Sequence, residues 1–211
     1  MKEKIRGYLK RYFIDAMGAM ALGLFASLLI GTIFNTIGKY TGVELFTDIN
    51  KLASASAGMA IGVAVACSLK ADPLVIFSCA TVGYAGYSLG TAIGEINVTA
   101  GPAGSFFAVI VAAELAMLVS KKTKVDILVT PSVTILAGVL TAKLICPGIA
   151  YLMYYLGDFV NTATQYQPFL MGIVVSVVVG IVLTLPISSA ALCAMISISG
   201  IAGGAAVVGC C

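Results

Sequence analysis

GYAGYSLGTAIGEINVTAGPAGSFFAVIVAAELAMLVSKK, residues 83–122, joins two apolar segments through a break rich in glycine and proline. The first segment carries glycine at every fourth position (Gly86, Gly90, Gly94), a spacing that gives a helix a flat face for close approach of a second backbone. The second holds a carboxylate, Glu114, inside an otherwise apolar run. A charge inside such a span costs about 2.5–3.5 kcal/mol on insertion scales, so it faces a partner or a wet cavity. A hairpin of this kind belongs to a bundle of membrane-crossing helices, and the rest of the chain supplies that bundle.

Composition agrees. Of 211 residues, 60% are hydrophobic and 10% charged, whereas soluble domains carry about 25% charged residues. The apolar runs approach the roughly 20 helical residues that span a hydrocarbon core. They do not alternate, which excludes a β-barrel. The expected fold is all-α, a polytopic helical membrane protein with about seven transmembrane or re-entrant helices. Histidine is absent, so the chain offers neither a phosphohistidine nor an imidazole ligand or base. The six cysteines (Cys67, Cys79, Cys146, Cys193, Cys210, Cys211) lie in or beside apolar runs without metal-type spacing. They read as small buried hydrophobes. No cofactor, metal or nucleic-acid partner is expected.

Residues 1–15 are basic and amphipathic, with Ile5, Leu9, Tyr12 and Phe13 on one face and Lys2, Arg6 and Lys10 around it. Such a segment suits the headgroup layer. The run 16–37 is too long for a signal-peptide core and reads as the first span. A loop is expected over 38–51, followed by spans near 52–69, 73–94, 105–120, 127–146, 168–185 and 190–211. Gly58 and Gly62 stand at GxxxG spacing in the second span, and Pro73 follows a very short turn. Pro147-Gly148 reads as a helix end or kink, and the tyrosine-rich 149–166 as interfacial. The last run ends without a polar tail, so the chain reads as the N-terminal part of a longer bundle.

Lysine and arginine placement orients the bundle. Lys2, Lys4, Arg6, Lys10, Arg11, Lys70, Lys121, Lys122 and Lys124 fall on one side, and Lys39, Lys51 and Lys143 on the other. The richer side is cytoplasmic by the positive-inside rule, which places the N-terminus inside.

Three places are candidates for chemistry. Glu114 lies seven residues before Lys121, about 10 Å above the cytoplasmic end of its helix. It reads either as an acceptor for substrate hydroxyls or a proton site facing a cavity, or as a carboxylate satisfied by a neighbouring lysine or backbone group. The turn holding Glu95, Asn97, Gly101 and Gly104 could expose backbone polar groups to a ligand, or simply connect two helices. Asn97-Val98-Thr99 also matches a glycosylation sequon, which carries no weight alone. Ser188 and Ser189 follow Pro186 between two apolar runs, as a broken helix tip or a plain capped turn.

RYFIDAMGAMALGLFASLLIGTI (residues 11–33), the Gly101–Gly104 turn, LVSKKTKVDILVTP (118–131) and QPFLMGIVVSVVVGIVLTLPISSAAL (167–192) together resemble the membrane-embedded IIC component of sugar phosphotransferase systems. The branch is the one that includes perfringolysin-regulator-like membrane proteins. The resemblance implies a permease in the bacterial cytoplasmic membrane that moves a sugar while IIA and IIB partners phosphorylate it. A homodimer is also implied. Better-known IIC proteins use a histidine and a glutamate at the sugar site, and this chain lacks the histidine. The resemblance therefore leaves a second function open, a membrane regulator or sensor of the same fold.

Overall fold

Thirty-two residues without a proline carry the first helix, α1, over Lys10–Thr41. Two of its turns, Lys10–Ala16 and Phe25–Leu29, are wound as π-helix. It ends at Gly42, whose φ of 72° lets its N–H return to the Gly38 carbonyl at 2.8 Å. The computed structural model describes residues 7, 10–93, 96–122, 125–166 and 172–173. The expected spans 168–185 and 190–211 thus lie outside the described residues, apart from Gly172 and Ile173.

The segment read as a loop over 38–51 is largely helical. Helix α2, Glu44–Ala55, meets α3, Ala57–Ser68, across a 47° bend at Ser56. Amphipathic residues such as Leu45, Phe46 and Leu52 favour a helix there, and Phe46 stacks on Phe34 of α1 at 5.8 Å. The short turn 69–72 then returns the chain to α4, Pro73–Ser88. Pro73 occupies the first turn, where its missing N–H has no intrahelical partner to lose.

The expected third span stops short of Gly94. From Gly90 the chain forms an antiparallel hairpin, β1 Gly90–Ile93 with β2 Ile96–Thr99, pairing Gly90 with Thr99 and Ile93 with Ile96. The β-branched residues Thr91, Ile93, Ile96, Val98 and Thr99 suit paired strands. The Ala100 N–H closes the unit on the Leu89 carbonyl at 3.0 Å. Gly90 is a hairpin residue: a Cβ there would strike the Val98 carbonyl.

Helix α5, Gly101–Val119, follows directly. Gly101 takes φ 57° to swing the chain out of the hairpin, with open space where a side chain would go. Gly101→Ala therefore isolates the backbone term. We expect it to cost about 1–2 kcal/mol, the left-handed penalty of an L-residue, read as a lower denaturation midpoint in detergent. Gly101→Asn should cost less, because asparagine tolerates that region.

Helix α6 runs unbroken over Asp126–Tyr166 and contains both Pro131 and Pro147. The helix does not end at Pro147-Gly148, one of the two outcomes expected there. Pro147 deprives the Lys143 carbonyl of its usual donor, but its flanks are held: Thr130, Thr134, Gly138, Ala142, Cys146 and Ala150 are all buried on the bundle side. Leu136, Leu140 and Leu144 point outward, 71%, 63% and 74% exposed.

Helix α5 is the centre of the bundle. Its most apolar stretch is 56% buried, against 33% for α1 and 28% for α6. It packs on α3, α4 and α6. Glycines bring α4 against both α3 and α5: a Cβ on Gly58 would lie 2.8 Å from the Gly83 carbonyl, and one on Gly86 would lie 2.7 Å from the Gly104 carbonyl. Ser105, fully buried, donates to the Gly83 carbonyl across that contact.

Among the described residues three helices are long and apolar enough to cross a membrane, or four if the bent pair α2–α3 counts as one. That is fewer than expected, in part because α4 spans only 16 residues. The outward leucines, Phe77 and Phe107 give the bundle the apolar surface a bilayer solvates. The chain is a helical membrane protein. Cys79 and Cys146 are buried free thiols, whereas Cys67 is exposed because it falls on the outer side of α3.

Candidate functional site

Helix α5 carries Glu114 toward its C-terminal end, and the π-wound start of α1 lies beside it. The Tyr12 hydroxyl donates to Glu114 Oε1 at 2.7 Å, and Arg11 Nη2 stands 3.0 Å from the same oxygen. That arginine nitrogen also donates to the Leu69 carbonyl at the end of α3, 3.2 Å away. Carbonyls at a helix C-terminus lack intrahelical donors, and a cation there is further favoured by the helix dipole. The guanidinium lies 5.6 Å from the Tyr12 ring centroid, which keeps the pair together. One arginine thus joins α1, α3 and α5.

The carboxylate is satisfied, and its partners are an arginine and a tyrosine instead of a lysine or backbone group. Tyr12 comes from 102 residues away in the chain and Arg11 from one further, a distance no local pattern reports. The pair is nevertheless reachable, since both side chains are 37% exposed.

The other candidates do not converge on it. Gly101 and Gly104 occupy the first turn of α5, and Asn97 sits in β2 opposite Ala92. From Gly101 to Glu114 the helix rises about 20 Å. Gly104 is filled on its bare side by the Gly86 backbone and the Cys146 thiol. Glu95, Ser188 and Ser189 lie outside the described residues.

A second charged cluster shares the Glu114 end of the bundle. Asp72, ahead of α4, accepts from the Ser120 hydroxyl at 2.8 Å and pairs with the Lys121 ammonium. The Lys121 N–H donates to Asp126 Oδ1 at 3.1 Å, and Thr130 donates to that same oxygen. Lys121 holds φ 63° and Lys70 φ 57°, so a lysine fills the left-handed position after both α5 and α3. The hydrogen bond from Lys121, then the one from Ser120, holds the Asp72 carboxyl below its ordinary 3.8. A depressed carboxylate stabilises the fold above its unfolded pKa, and that contribution is lost as pH falls through the folded value. We expect thermal stability to fall off below about pH 4, with Asp72→Asn flattening that acid limb in melts recorded from pH 3 to 7.

A groove of about 490 Å³ lies between α1 and α3 and is lined by Leu22, Gly23, Met59, Ala60 and Val63. With Ser56 as its single polar side chain it lacks the converging polar groups a sugar needs. Among the described residues, no three histidine, cysteine, aspartate or glutamate side chains gather as a metal site.

One family model, described as phosphotransferase system, EIIC, matches residues 14–211. No curated protein and no solved structure matches the chain.

Proposed function

The chain belongs to the phosphotransferase-system EIIC family, and from that premise we propose that it carries a sugar across the bacterial cytoplasmic membrane, with its N-terminus inside. It is a permease-type component of a sugar phosphotransferase system. The finer reading couples transport to IIA and IIB partners, which supply the phosphoryl group because this chain contains no histidine to carry one. The observation that carries the reading is the family match across residues 14–211. The central position of α5 supports a path along that helix. Glu114 is the hydroxyl acceptor near its inner end. Asn97, Gly101 and Gly104 belong to the opposite end of that helix and the hairpin before it, and Glu95, Ser188 and Ser189 are the further polar candidates from the sequence. A homodimer would use some face other than the Gly58–Gly62 stripe, which is spent on Gly83 within the chain.

A regulator of the same fold is the second reading. It is favoured by the missing histidine and by the internal pairing that already engages Glu114. A thermal-shift screen of the purified protein against sugars and sugar phosphates separates the two. A ligand at a hundred times its Kd stabilises the folded state by about 2.7 kcal/mol. The permease predicts a selective shift that Glu114→Gln removes. A folded protein that responds to no sugar would instead be assigned to regulation.

A further inference from the structure

We propose that Arg11 and Tyr12 act as an internal stand-in for the sugar at Glu114, and that the π turn of α1 is the latch that holds them there. The inference rests on Glu114 being the hydroxyl acceptor. Its first support is chemical. The tyrosine O–H and the guanidinium N–H converge on a single carboxylate oxygen, Oε1, at 2.7 and 3.0 Å. They occupy the acceptor that a sugar hydroxyl needs. A ligand therefore reaches Glu114 by displacing them.

The second support is the winding of α1. Lys10–Ala16 is π-helical, and Arg11 and Tyr12 both lie within it. A turn closed i→i+5 takes in about one residue more than an α turn, and such turns recur at functional sites. Rewinding it as α turns the first residues of the segment, Arg11 and Tyr12 among them, by up to about 100°, the angle of one residue. That rotation carries Arg11 and Tyr12 off Glu114 and takes Arg11 from the Leu69 carbonyl. The bonds to Glu114 offset the poorer winding. When hydroxyls of a ligand replace them, the α form is released and the acceptor stays open. Since ligand and latch compete for one oxygen, the ligand has the differential affinity that a shift between two states requires.

The chain contains no tryptophan, so Phe13→Trp supplies a lone reporter. Phe13 is 56% exposed in the latched form, next to Arg11 and Tyr12 on the same π turn. In the full chain, purified in detergent, Glu114→Gln and Arg11→Gln should each turn position 13 toward the bundle, with bluer emission and less quenching by acrylamide. Unchanged emission and quenching in both variants overturns the latch. Equilibrium binding of glucose, mannose, galactose and fructose then tests the competition. Tyr12→Phe, which keeps the ring and drops the hydroxyl, should tighten hexose binding about fivefold, the worth of one ordinary hydrogen bond. Hexose binding that is no tighter in Tyr12→Phe overturns the stand-in. A tryptophan response with no hexose bound by any variant keeps the latch and removes the sugar reading, so the two failures are distinct.

Discussion

Gly83→Val is expected to abolish the folded bundle. A Cβ at this position falls 2.8 Å from the Gly62 Cα and 2.9 Å from the Gly62 nitrogen, and closer still to the Gly58 carbonyl. All three are backbone atoms on α3, so no rotamer change makes room. Forcing methylenes into a filled core costs about 1–3 kcal/mol and more where nothing yields. Separating α3 from α4 also strains the far side, where the Gly83 carbonyl accepts from buried Ser105 on α5. We place the loss at or above about 3 kcal/mol. The measurement is size-exclusion elution in detergent, with Gly18→Ala as the control. Gly18 has open space on its bare side, and alanine there gains up to about 1 kcal/mol in helix propensity. A Gly83→Val protein that elutes and melts like the parent would show that the α3–α4 contact is looser than its geometry.

Arg11→Gln carries the second large effect. The substitution leaves Glu114 with a tyrosine but no cation, and it removes the donor to the Leu69 carbonyl. A hydrogen bond to a charged group contributes about 1.5–3 kcal/mol when shielded, and exposed ion pairs well under 1. With both side chains 37% exposed, the expected destabilisation is about 1–2 kcal/mol. The decisive quantity is coupling. In a double-mutant cycle, Arg11→Gln should cost clearly less once Glu114→Gln is present, the remainder being the lost donor to the Leu69 carbonyl. Additive losses would mean that the two residues act separately. Arg11→Lys should fail to restore the parent, since a compact ammonium does not reproduce the planar guanidinium that sets one nitrogen between Glu114 and the Leu69 carbonyl while lying beside the Tyr12 ring.

The membrane class was legible in the sequence because it follows from summed burial preferences, and those survive any detail of packing. Lys70-Ala71-Asp72-Pro73 was legible for a different reason, since a proline at a helix start is a local matter. What failed was inference from spacing. Gly86, Gly90 and Gly94 share a period, yet Gly86 faces Gly104 across a helix contact while Gly90 lies in a strand. Glycine serves both geometries, and the β-branched residues around it held the better signal. Pro147 was read as a break because its missing N–H is a local loss. The burial of Ala142, Cys146 and Ala150 that holds the helix together is a tertiary fact. At the candidate site the acid was legible and its partners were not. Arg11 and Tyr12 belong to a segment whose basic, amphipathic pattern pointed to headgroups, whereas they lie in a π turn and meet Glu114. A different stripe was in plain view and went unread: Thr130, Thr134, Gly138, Ala142, Cys146 and Ala150, small or hydroxylated at every fourth place.

That stripe makes α6 a threaded rod. Four residues advance an α-helix by about 6 Å and over-rotate it by about 40°, so a four-residue stripe winds around the helix as it climbs. Its neighbours are the matching nut, with Gly138 seated on Val82 and Ala112, and Cys146 reaching the Gly86 carbonyl. Such a rod cannot slide like a piston. In that geometry, axial travel that keeps the stripe seated is rotation as well, about 40° for each 6 Å.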